Sequence, residues 1–210
     1  SIDVHNNTGL NPHYGCINRL DHHYLHLATL FSRTVVYFIR PDTVQSMAMA
    51  RLCPAVTVEC GKPGQAANRD HVLQYLDAVL NMAALPEHPV APHDYELFHT
   101  VATVTVPEGV SFSFEDAGTQ LLLEPDLDEF NFRELPVGTT LAYANGPGAR
   151  VEARSEAGEL VTERFFTVSE GELRTRLPVM PSMLTLDECV IRQDCLCYLM
   201  ERLPPIAAPE

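Results

Sequence analysis

The sequence predicts a mixed α/β unit over residues 1–88 and a β-rich unit over residues 93–203. Three observations carry that division. Short apolar runs (IDVH at 2–5, TVVYFI at 34–39, PAVTVEC at 54–60) alternate with stretches of helical spacing as far as Leu85. The proline-rich stretch PEHPVAP, 86–92, then blocks helix and removes backbone donors. Beyond it, HTVATVTVPEG and the segments that follow alternate in twos between Gly, Pro and Asp turns, as an antiparallel β domain does.

Taken in order, Ile2 to His5 reads as a strand, since Ile2 and Val4 alternate with Asp3 and His5 before the loop Asn6-Asn7-Thr8-Gly9. Arg19 to Phe31 places Leu20, Tyr24, Leu27 and Phe31 at helical spacing. Thr34 to Ile39 is nearly continuous in apolar residues, as expected of a strand covered on both faces. Asp42 and Gln45 stand at capping-box spacing and open a helix to Leu52. Pro54 to Cys60 is another strand, closed by Gly61. Asn68 to Leu85 carries Val72, Leu73, Leu76, Val79, Leu80 and Met82, an amphipathic helix stopped by Pro86. This order implies a sheet with parallel neighbours and helices packed over it. After the β segments, residues 185–203 read as a closing helix and the tail PPIAAPE as loose.

The totals exclude some functions. Twenty-eight acidic residues against fourteen basic ones give a net charge of −14, with no basic stripe for a nucleic-acid backbone. No apolar run approaches the ~20 residues that cross a bilayer. Six cysteines without C-x-x-C spacing read as reduced thiols of a cytoplasmic protein. Cys189, Cys195 and Cys197 lack a fourth ligand for a structural zinc site and read as core thiols. The chain opens on Ser1 with a strand that already ends in a polar residue, and so reads as the back part of a larger sheet.

Two strands end in a polar residue followed at once by a tight loop: His5 before Asn6, and Glu59 before Cys60-Gly61. If the strands are parallel, both side chains emerge at the carboxyl edge, where open α/β sheets place their ligand sites. An imidazole there suits zinc, and a carboxylate there suits a general base acting on water. Asp3, two residues back on the same face, is placed to orient the His5 ring. A satisfied surface group is the plainer account of either residue taken alone.

DVHNNTG (3–9) together with PAVTVECG (54–61) resembles the aspartoacylase and succinylglutamate desuccinylase family, a branch of the zinc carboxypeptidase superfamily. That family carries a D-x-H-N/T motif whose His is the last zinc ligand. It also carries a [VI]-E-x-G strand end whose Glu activates the zinc-bound water, and a β-rich domain follows. The resemblance implies His5 as zinc ligand and Glu59 as general base. It implies a zinc carboxypeptidase-like fold lacking its N-terminal part, acting on small carboxylated amides such as N-acyl amino acids. The neighbouring alternatives are a zinc carboxypeptidase acting on peptides, and a metal-free remnant serving as a binding module. The family's upstream H-x-x-E motif has no counterpart before Asp3, and His93-Asp94-Tyr95-Glu96 reads as a chance pattern. One zinc ion is therefore expected in a complete enzyme and weak or absent metal in this chain, because a catalytic site needs about three protein ligands.

For the substrate, Asn6 and Asn7 are candidate donors and His13 a candidate contact in the loop after His5. Arg51, ahead of the Glu59 strand, is a candidate carboxylate partner, and its alternative is a cation favouring a helix C-terminus. Arg40 has a similar claim from position. His22 and His26 are four apart on a helix, a spacing that chelates zinc, but an exposed polar face accounts for them better. His71, His88 and His99 show no partners in the sequence.

Overall fold

The computed structural model describes residues 1–206; the last four residues of the tail lie outside them. The chain divides into two compact units. One comprises Ser1–Asn7, Pro12–Thr100 and the chain from Glu201; the other comprises Thr8–Asn11 and Val101–Met200. The change falls inside a ten-residue strand, between Thr100 and Val101, rather than in the proline stretch 86–92.

The first unit contains β1 (Ile2–His5), β2 (Tyr14–Ile17), α1 (His22–Phe31), β3 (Thr34–Tyr37), α2 (Gln45–Met49), β4 (Val56–Glu59), α3 (Ala66–Leu80) and the opening of β5 (Glu96–Thr105). Its strands lie in the order β1-β4-β2-β3-β5. β1 pairs parallel with β4, β2 with β3, and β3 with β5. The sheet is mixed, as expected of a mixed or parallel arrangement: β2 runs antiparallel to β4, with Tyr14 opposite Glu59. The sequence reading passed over β2 altogether. YGCI is buried at every position, so it carries neither alternation nor helical period.

Helix α1 begins at His22 rather than Arg19, because Asp21 accepts the His23 backbone N–H at 2.8 Å as N-cap. Its buried face, Tyr24, Leu25, Leu27, Ala28 and Phe31, packs on β2 and β4 and against α3. The approach to β2 is close: a Cβ on Gly15 would stand 2.8 Å from the Ala28 Cβ. Around this contact Ile17, Leu25, Val35, Val56 and Val58 are fully buried. Each such side chain contributes about 1.5–3 kcal/mol.

Two further helices depart from their expected limits. α2 starts at Gln45 without a side-chain cap, and Asp42 instead pairs with Arg40 at 2.6 Å. α3 ends at Leu80, and Leu73 and Leu80 are exposed; Val72, Leu76 and Val79 pack against the core beside the buried Tyr75. The apolar set covers a wider arc than one packed face uses.

The second unit takes the rest of β5, β6 (Phe112–Ser113), β7 (Leu121–Leu123), a 3-10 turn at Leu127–Phe130, β8 (Thr140–Ala144), β9 (Glu152–Ser155), α4 (Thr162–Phe165), β10 (Phe166–Ser169), β11 (Glu172–Thr175), β12 (Met180–Ser182), α5 (Glu188–Gln193) and the opening of β13 (Cys197–Leu203). One sheet runs β10-β11-β8-β7-β6, while β9 pairs with β5 and β12 with β13. The core is aliphatic, with Leu121, Leu123, Leu127, Leu173, Leu196 and Leu199 almost wholly buried. The closing helix expected over 185–203 is a six-residue helix followed by a strand. Cys197 and Leu199 are buried on either side of a part-exposed Tyr198, a period of two. Nor is the start of the tail loose, since the Ile206 N–H donates to the Tyr95 hydroxyl at 2.7 Å.

Candidate functional site

β1 and β4 are in register, Ile2 against Val56 through His5 against Glu59, so the imidazole and the carboxylate stand side by side where both strands end. The two loops that follow are laced together. The Cys60 backbone N–H donates to the His5 carbonyl at 2.9 Å and the Cys60 thiol donates to the same oxygen at 2.7 Å. The Asn7 N–H and the Asn6 side-chain amide both donate to the Gly61 carbonyl, at 3.2 and 3.1 Å. Gly61 holds a φ of +75°, a left-handed conformation that any side chain would strain.

Asp3 lies on the His5 side of the strand, its Oδ2 3.2 Å from the ring Nε2. A carboxylate only accepts, so a hydrogen bond across this gap would put the proton on Nε2 and leave Nδ1 with its lone pair. Glu59 is 7% exposed. Burial pushes its carboxyl above the ordinary carboxylate range; His5 and the Asn7 amide oppose that shift and Asp3 adds to it. A carboxyl raised in this way holds a proton more readily than a free carboxylate. Burial, with the charge of Glu59, pushes the Cys60 thiol up to about 11, so it stays protonated.

The substrate candidates fare differently. Asn7 is 4% exposed, and its Nδ2 donates to Glu59 Oε2 at 3.5 Å, so its amide orients the carboxylate rather than facing solvent. Asn6 is spent on Gly61. His13 bonds Asn68 Oδ1 at 3.0 Å, and its ring stacks on His71 at 4.6 Å, beside Phe31. Arg51 lies exposed in the turn before β4, at the amino end of the strand whose carboxyl end bears Glu59. Four residues of strand, at ~3.3 Å each, separate those ends, and Arg51 is not part of the His5–Glu59 cluster. Arg40 is tied to Asp42.

Among the described residues no three His, Cys, Asp or Glu side chains are grouped so as to hold a metal ion. Cys195 and Cys197 are buried while Cys189 is exposed, and all six cysteines are free thiols. His22 and His26 do not form a bare polar face, because each bonds the backbone of the 88–90 stretch. His71 donates to the Phe31 carbonyl, and His99 rests beside Tyr37 and Glu201. Sequence reasoning had no signal for these partners, since every one lies at least 40 positions away.

An α/β unit joined to a β-rich unit is a fold shared with solved structures. The chain has the fold of murine aminoacylase 3, with a TM-score of 0.57 and 13% identity over 96% of this chain and 62% of that one. It is similar to the succinylglutamate desuccinylase/aspartoacylase of Rhodobacter sphaeroides, with a TM-score of 0.54 and 15% identity over 96% of this chain and 57% of that one. It is also similar to the succinylglutamate desuccinylase of Chromobacterium violaceum, with a TM-score of 0.50 and 16% identity over 96% of this chain and 54% of that one. The chain thus spans little more than half the length of these proteins. No family model matches it, and no curated protein matches it by sequence. No described helix is long and apolar enough to cross a membrane.

Proposed function

We propose that this chain belongs with the aspartoacylase and succinylglutamate desuccinylase family and carries the base-bearing part of a deacylase acting on N-acyl amino acids. The observation that supports this reading is the register of His5 against Glu59 at the shared strand end, with Glu59 buried. In this role Glu59 takes a proton from the attacking water and delivers it to the leaving amine. Asn7 holds one carboxylate oxygen, which leaves the other to face the water. Asp3 fixes the His5 tautomer.

A zinc ion is the metal such a reaction uses elsewhere, and His5 Nδ1 is the nitrogen it would find. The described residues do not fit a complete zinc site, because His5 has no two further ligands beside it. No step is therefore assigned to a metal. The same shortage favours a second reading, in which the chain by itself is a non-catalytic binding module.

The test measures hydrolysis of N-acetylaspartate and N-succinylglutamate, with and without added zinc, by the 210-residue chain and by the complete product of its gene. Turnover by either, with Glu59→Gln lowering kcat about a hundredfold or more at unchanged metal content, is the expected result. Full activity in Glu59→Gln removes the base assignment. No turnover by either protein leaves the binding-module reading.

A further inference from the structure

Four histidines gather away from the strand-end site, where the first turns of α1 meet the 87–90 stretch that leads toward β5. His22 Nδ1 accepts the Val90 backbone N–H at 3.1 Å. His26 Nε2 donates to the His88 carbonyl at 2.7 Å, and the two rings meet edge to face at 5.1 Å. His23 Nε2 lies 3.5 Å from Glu87 Oε2, and its Nδ1 lies 3.1 Å from Asp21 Oδ1. Every one of these contacts joins α1 to a stretch more than 60 positions away or steadies a group that does.

The contacts do not respond alike to a proton. A ring nitrogen that accepts a hydrogen bond carries no proton, so the Val90 bond requires a neutral His22 with its hydrogen on Nε2. That Nε2 is itself buried and has no hydrogen-bond partner among the described residues. Protonating His22 turns the Nδ1 acceptor into a donor aimed at the Val90 donor. It also places a charge in the first turn of α1, at the positive end of the helix dipole. His26 can donate in either state. His23 and Glu87 attract each other more when His23 is charged, but Glu87 is 91% exposed and such pairs are worth little. The other charged groups at this helix end are Asp21 and Arg19. Asp21 is partly desolvated, yet the hydrogen bonds and charge of His23 hold its carboxyl below its ordinary value. Its anion eases one positive charge, whereas four imidazoles share the cluster.

We propose that the 87–90 stretch is a strap latched onto α1 by neutral His22 and released on acidification, when the Val90 bond inverts into two opposed donors. The device is independent of the strand-end chemistry and of any activity there. Release frees Val90, 6% exposed in the closed form, from the first unit's core.

Heteronuclear NMR on the 210-residue chain tests this. At pH 7.5 the His22 ring nitrogens should show the Nε2–H tautomer, and the Val90 amide should be protected from exchange. By pH 5.5 the Val90 protection factor should fall about tenfold or more, while that of Leu27 in the same helix holds. His22→Asn places a non-titrating carbonyl oxygen where Nδ1 was, and should keep Val90 protected at both values. His22→Ala should leave it open at both. The proposal is overturned if Val90 is unprotected at pH 7.5, or if its protection persists at pH 5.5 with a protonated His22 ring. Loss of protection by His22→Asn at pH 5.5 alone, as in the parent chain, overturns it too. The asparagine variant and the parent titration decide the matter even if His22→Ala does not fold.

Discussion

Glu59 stands beside His5 across a parallel strand pair, its carboxylate held by the Asn7 amide from the loop that follows His5. Burying a carboxylate with one weak donor costs stability whenever it is ionised. The folded-state pKa of Glu59 is raised, so its contribution is most favourable below the ordinary carboxylate range and is lost as pH rises through the folded value. Glu59→Gln should therefore raise the Tm at pH 7. The gain should shrink toward pH 4, as read by thermal unfolding across that range. A lower Tm at pH 7 for the glutamine variant would contradict this.

Gly15 and Ala28 set the distance between α1 and β2. Gly15→Val places two methyl groups where even a Cβ is too close, and should cost about 1–3 kcal/mol or more in denaturant unfolding. The m-value should be unchanged, since the packing rather than the extent of the fold is altered.

The apolar residues of the helices divide by burial rather than by type. Leu25 is fully buried and Leu80 is 84% exposed. Leu25→Ala should cost about 2–5 kcal/mol. Leu80→Ala should stay within about 0.5 kcal/mol of the parent. Chemical denaturation of the two variants side by side checks the contrast.

Tyr75 donates its hydroxyl to the Leu27 carbonyl at 3.1 Å and is 3% exposed. Tyr75→Phe should cost about 0.5–1.5 kcal/mol, the value of one intramolecular hydrogen bond. Burial also pushes this phenol well above its ordinary pKa. The ultraviolet titration of the native protein up to pH 11 should accordingly be unchanged by the substitution.

Thiol labelling should separate the cysteines. Cys189 is exposed, while Cys195 and Cys197 are buried with their thiols pushed up by desolvation. Ellman's reagent on the native protein should modify Cys189 first, and Cys189→Ser should abolish the fastest phase. The buried pair should react only on unfolding.

Much of the site was legible in the sequence because strand ends are local. The apolar alternation of Ile2 to Val4, the run Val56 to Val58, and the polar residue closing each one mark His5 and Glu59 without reference to the rest of the chain. The same locality misled elsewhere. Asp42 and Gln45 have capping-box spacing, yet Arg40 offers Asp42 a charged partner two residues away. The apolar residues of 185–203 fit a helix until packing orders Cys197 and Leu199 as alternate positions of a strand.

The sequence by itself determined which residues close the strands, where the helices of the first unit lie to within about five positions, and that the chemistry on offer is an imidazole and a carboxylate. Only the tertiary structure decided the register that sets His5 against Glu59, the antiparallel insertion of β2 between β4 and β3, and the removal of Arg51 from the site. It also decided the partners of His22 and His26, which lie more than 60 positions away. The reason is physical. Periodicity reports how a segment faces its own surroundings, whereas register and long-range hydrogen bonds depend on which other segment supplies those surroundings, and nothing in a local pattern encodes that choice.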